Sequence, residues 1–253
     1  MTPETTSNNN ATKATRAVAT LGTEPFQEAN EKVRELLAHA DTVEIQQAHA
    51  QRYLGCAMPA GKRLEIHGTP GNDLACYLDG GSIEVFGNAQ DQVGNTMNYG
   101  EVVVHGRCGD AAGYGMRGGT IFVRDGCGWR VGVHMKEYEE HRPAIVIGGD
   151  AGSFLGEYQA GGVIVLMGHA GAYLGTGMHG GVMYLAHPLA ESAVPAGLVQ
   201  EPLDADDLAV LQPLLDGYAQ HFAGERSLPD IPASDYMKLR PASSRPYSSM
   251  YAR

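Results

Sequence analysis

The chain of 253 residues carries 29 acidic against 18 basic side chains, a formal charge of −11 with histidine neutral. That balance repels phosphate backbones and argues against nucleic-acid binding. A hydrophobic share of 43% excludes a disordered class, and no run approaches the roughly 18 apolar residues a membrane-spanning helix needs.

Taken in order, the polar opening MTPETTSNNNATKATR lacks an apolar signal core, which predicts a cytoplasmic protein. Residues 1–22 read as a disordered arm with nothing to bury. Residues 23–60 read as a helix and a lead-in strand. EPFQEANEKVRELLAH puts Ala29, Val33, Leu36 and Leu37 on one helical face, with Pro25 in the first turn. TVEIQQA and RLEIHG then read as strands leading into a glycine-rich stack.

Residues 61–187 hold most of the 34 glycines and an internal period of 19 residues. Gly81, Gly100 and Gly119, then Gly162 and Gly181, keep that step, with Pro143 filling the gap and one coil lengthened by five residues. A second column is Ala75, Gly94, Gly113, Gly132, Gly156 and Gly175; a third is Leu78, Met97, Met116, Met135, Gln159 and Met178. A β-rich segment follows each glycine pair, from SIEVF and EVVVH to VMYLA. A unit of this length cannot bury its apolar face alone, so the pattern predicts a β-solenoid of about six coils. Gly94, Gly113, Gly132, Gly156 and Gly175 are its expected corners, and the methionines its interior filling. In GAYLGTGMHGG, Gly175, Gly177 and Gly180 spell a dinucleotide-binding fingerprint. The following VMYLA is strand-like where that motif needs a helix, so the glycines are assigned to architecture.

After His187 the glycines thin out. Residues 188–253 read as a helical cap and an extended tail. DADDLAVLQPLLDGYAQHFAGE has Asp204 as N-cap and turns Leu208, Leu211, Leu215, Tyr218 and Phe222 inward, with Pro213 expected to kink or divide it. LRPASSRPYSSMYAR reads as a strap.

No catalytic, cofactor or metal constellation emerges from the pattern. Cys108 and Cys127 lie one period apart in a column of small residues, which suits buried thiols; a disulfide between layers stays open. His169 and His179 read as separate surface residues, not ligands. The segment HMKEYEEHRP contains the five extra residues, and inserts in a solenoid emerge on one face. His134, Lys136, Glu137, Tyr138 and Arg142 are therefore the candidate interface, beside the reading of an indifferent surface bulge.

The stretch GRCGDAAGYGMRGGTI resembles the GXGXG family, whose fold is a single-stranded right-handed β-helix. CGWRVGV and the closing helix and SSRPY tail are similar to its glutamate-synthase-type members, over roughly residues 45–250. The resemblance implies a scaffold without catalytic side chains. It also implies a glutamine amidotransferase partner and an FMN-dependent synthase partner, the FMN and iron–sulfur clusters residing in the partners. Met1-Thr2 is consistent with that, since the amidotransferase nucleophile is an N-terminal cysteine. Homo-oligomerisation within the complex stays open. The alternative implied by the same family is the scaffold of a formylmethanofuran dehydrogenase or formyltransferase-hydrolase complex.

Overall fold

The computed structural model describes residues 14–225 and 231–243. Nine strands, β1 (Arg16–Thr20), β2 (Thr42–His49), β3 (Arg63–Thr69), β4 (Asp79–Phe86), β5 (Tyr99–Val104), β6 (Thr120–Val123), β7 (Ala144–Ile147), β8 (Ala160–Leu166) and β9 (Gly180–Leu185), pair in parallel one after another. The architecture is a parallel β-solenoid of about eight turns. Helix α1 (Phe26–His39) makes the crossover from β1 to β2, and seven corners make the rest, six of them centred on glycine and one on Ala75.

Two expectations need correction. Six coils were anticipated, yet the ladder extends two rungs further toward the N-terminus. The corner at Gly55 escaped the periodicity because it lies 20 residues before Ala75, and a register shift between Ile45 and Ala48 accompanies that extra residue. The arm expected over 1–22 is ordered from within: Arg16–Thr20 pairs with Thr42–Gln46 as an edge strand. Its first thirteen residues lie outside the described range.

Each rung contributes to interior columns by the alternation of its side chains. Along the strands, Ile83, Val102, Ile121, Ile145, Ile164 and Met183 stack in register. Facing them from the corners are Leu74, Val93, Ala112, Val131, Leu155 and Leu174, with Leu78, Met97, Met116, Met135, Gln159 and Met178 beside them, all buried. Gln159 breaks the apolar column. Its Nε2 donates to the carbonyls of Gly161 (3.2 Å) and Gly162 (3.1 Å).

The outer face of the sheet changes character midway. On β2, β3 and β4 the outward column is Glu44, Glu65 and Glu84; on β5 to β9 it becomes Val103, Phe122, Val146, Val165 and Tyr184. Helix α2 (Ala205–His221) covers only the apolar half, burying Leu211 and Tyr218 with Phe222 just beyond its end. Leu215 is partly buried there, whereas Leu208 stays exposed. Asp204 caps α2 by accepting from the amides of Asp206 and Asp207, and the Asp207 side chain accepts from the Asp204 amide in return. These bonds hold the Asp204 carboxyl down to about 2. The helix runs through Pro213 without dividing. The expected strap begins inside β11 (Met237–Pro241), which runs antiparallel to both β9 and β10 (Leu198–Pro202); residues 244–253 lie outside the described range. Lys238 on β11 ties the cap down through Asp204 (3.0 Å) and Asp207 (2.6 Å).

Stacked carboxylates on the uncovered half would repel across a rung of about 4.8 Å. Arg16 Nη2 reaches Glu44 (2.5 Å) and Glu65 (2.6 Å), while Arg63 bridges Glu65 (3.0 Å) and Glu84. The bond to Arg16 lowers the Glu44 carboxyl. Burial pushes Glu65 up, but the bonds from Arg16 and Arg63 outweigh it and the net shift is downward. A lowered folded-state value supplies stability above the ordinary carboxylate range, lost as pH falls through the folded value. Arg16→Ala is therefore expected to melt below the parent at neutral pH and to converge with it in acid below about pH 4. Melting curves at stepped pH test this; a gap that stays constant would show that Arg16 acts through packing alone.

Candidate functional site

Every corner is built on three left-handed residues spaced two apart. In the coil of Gly113 they are Ala111, Gly113 and Gly115, with φ of 56°, 70° and 57°. In the next coil Arg130, Gly132 and His134 take 60°, 70° and 56°. The middle position points inward, and Gly94, Gly113, Gly132, Gly156 and Gly175 occupy it with φ between 61° and 70°. The fingerprint spelled by Gly175, Gly177 and Gly180 runs straight into β9, without the helix that a phosphate cradle uses.

Around the lengthened coil the flanking positions carry Arg130, His134, Phe154, Tyr158 and Tyr173, and large side chains next to them and in the insert are exposed. Trp129 (56% exposed), Tyr138 (52%) and Tyr173 (66%) stand out, with Tyr114 and Tyr158 beside them. Tyr158 and Tyr173 are held by stacking. His134 lies flat on Tyr158 (5.2 Å, 8°), Phe154 lies flat on Tyr173 (4.7 Å, 13°), and the Arg130 guanidinium sits 4.8 Å over Phe154 while pairing with Glu157. Sequence reasoning missed this band because its members come from different columns. For Tyr158 and Tyr173 the available signal was the position two residues from the middle corner residue.

The insert itself is a miniature hairpin. Tyr138 and His141 exchange backbone bonds (3.1 and 2.9 Å) across Glu139, whose φ is 53°. Glu137 Oε1 accepts from the Gly162 amide (3.1 Å) and meets Arg142 Nε at 3.2 Å. His141 turns back to Tyr99, with ring centroids 5.6 Å apart. The five candidate residues thus divide. Glu137 ties the loop to the stack and Arg142 pairs with it inside the loop, His134 belongs to the corner, and Lys136 and Tyr138 face outward from exposed positions.

The other candidate groups lie elsewhere. Cys108 and Cys127 pair in a parallel bridge column continued by Ala151 and Ala170. Their thiols are free, and the bond between them together with burial drives Cys108 well above its ordinary range. Cys56 and Cys76 form a second free pair at a different corner. Two separated pairs do not make the four-cysteine set an iron–sulfur cluster requires. Among the described residues no group of three or more His, Cys, Asp or Glu is arranged to hold a metal ion. His169, read as solitary, stacks on His187 at 4.3 Å. Among the described residues no helix is long and apolar enough to cross a membrane.

A family model described as the GXGXG motif matches residues 30–226. The chain is also similar to an uncharacterized protein of Methanocaldococcus jannaschii, 33% identical over 245 residues, which cover 89% of this chain and 92% of that protein. The match takes in every glycine-marked corner, most of α1 and all of α2, and on that extent the chain belongs to the GXGXG motif family.

Proposed function

We propose that this protein is a scaffold subunit, without an active site of its own, of a multi-subunit glutamate-synthase-like complex. Its partners in this reading are a glutamine amidotransferase and an FMN- and iron–sulfur-bearing synthase that aminates a 2-oxo acid. The observation that carries the reading is the exposed aromatic band around the one lengthened coil. Trp, Tyr and Arg dominate the energetics of protein interfaces, and here Tyr158, Tyr173 and Arg130 are pre-ordered by ring contacts while Trp129 and Tyr138 stand exposed beside them. Membership of the GXGXG family supports the nature of the partners.

Tyr138→Ala combined with Lys136→Glu is expected to reduce co-purification of partner chains by an order of magnitude or more, about 1.4 kcal/mol or above. The melting temperature should hold, since neither side chain packs in the core. Glu137 is unsuitable for this test because its carboxylate anchors the loop. Mass spectrometry of the natively purified assembly identifies the companions. An amidohydrolase-like partner would favour the formylmethanofuran-type alternative, and turnover of glutamine and 2-oxo acid by the isolated chain would sink the scaffold reading.

A further inference from the structure

The corner that the period missed carries Cys56, and the following corner carries Cys76 at the same position, directly after the middle left-handed residue. The Ala57 amide donates to the Cys76 carbonyl (2.9 Å) and the Ala75 amide to the Leu54 carbonyl (2.9 Å), so the two segments lie in register. One rung of about 4.8 Å separates such residues, within the roughly 4.4–6.8 Å of Cα separation that a disulfide spans.

Access separates this pair from the other. Cys108 and Cys127 are both sealed in the solenoid interior. Cys56 is half-buried and lines a cavity of about 330 Å³ between α1 and the first corner, beside Val33, Leu37, Arg34 and Lys62. Arg34 there offers a positive charge to anionic solutes, while Lys62 is paired with Asp41 (3.7 Å).

We propose that Cys56 and Cys76 are a thiol–disulfide exchange site whose co-substrate is a small anionic disulfide such as oxidised glutathione. The Cys56 thiolate attacks one sulfur of the disulfide, forming a mixed disulfide and expelling one thiolate. Cys76 then attacks the Cys56 sulfur, closing the inter-rung bond and expelling the second thiolate. The protein loses two electrons and two protons, and the small disulfide is reduced to two thiols. Burial, first, and the neighbouring Cys56 thiol push the Cys76 thiol well above its ordinary range. Cys76 is the buried member and Cys56 the accessible one, so the mixed disulfide at Cys56 forms first and the closing step follows.

The test incubates the whole native protein with oxidised glutathione at about pH 8, followed by alkylation under native conditions and peptide mass spectrometry over time. One glutathione adduct at Cys56 is expected early and a Cys56–Cys76 cross-link later, while Cys108 and Cys127 become alkylatable only on unfolding. Cys76→Ser should stop at the adduct, and Cys56→Ser should leave Cys76 unmodified. A Cys108–Cys127 link in the folded protein before any at Cys56, or separate stable adducts on Cys56 and Cys76 without a cross-link, would overturn the assignment.

Discussion

Gly113→Val is expected to be the most damaging single substitution in the stack. At φ +70° a side chain costs about 1–2 kcal/mol, more for a β-branched one. Its Cβ would also stand 2.3 Å from Cδ1 of the fully buried Ile145; overpacking of that kind costs a further 1–3 kcal/mol or so. The sum is about 3 kcal/mol or more, a large part of a typical domain's margin. Urea midpoints measure it. Two companions separate the contributions. Gly115→Ala meets only Thr96 Oγ1 at 3.8 Å, so it should show the backbone strain alone, about 1 kcal/mol. Gly113→Ala should recover partly when combined with Ile145→Val, which removes the clashing methyl. The chain already contains that solution: Ala75 is the non-glycine member of the column, φ +60°, and at its offset the facing strand carries Val102 in place of isoleucine. A Gly113→Val protein with an unchanged midpoint would end this account of the corners.

Phe222→Ala is expected to cost about 3–5 kcal/mol, the range for emptying a fully buried aromatic site. Phe222 is completely buried just beyond the end of α2, packed edge-on to Tyr218 (4.8 Å) and to His105 (5.2 Å). His105 is itself held between Glu84 at 2.8 Å and Glu225, so the ring closes the boundary between the charged and apolar halves of the sheet. Loosening it should free α2 and uncover Val103, Phe122, Val146 and Val165. The variant should therefore bind a hydrophobic dye before the solenoid melts, while strand amides stay protected from exchange. A single transition with no dye-binding phase would mean that helix and stack unfold as one unit.

The stack itself was readable because glycine and methionine columns repeat with one period, and a solenoid forces each column into a line. The first two rungs were not: one corner is a residue out of step, and β1 enters through a helix that replaces a corner altogether. The reach of α2 was written in the strands. RLEIH and SIEVF alternate, as a half-exposed sheet should, whereas EVVVH, TIFVR and AIVIG run apolar on both faces, as a covered one must. The insert could be located from the period but not apportioned. The tie from Glu137 to the Gly162 amide joins neighbouring coils, and no local pattern announces it. Phe154, Tyr158 and Tyr173 likewise become neighbours of Trp129 and His134 only once the coils are stacked.

The lengthened coil leaves the ladder undisturbed: Thr120 faces Ala144 before the loop's rung and Ala144 faces Val163 after it. Because closing a loop grows costlier only slowly with length, this point works as a socket. A different hairpin plugged between Lys136 and Pro143 could re-address the same rigid platform to another binding mate without refolding any rung.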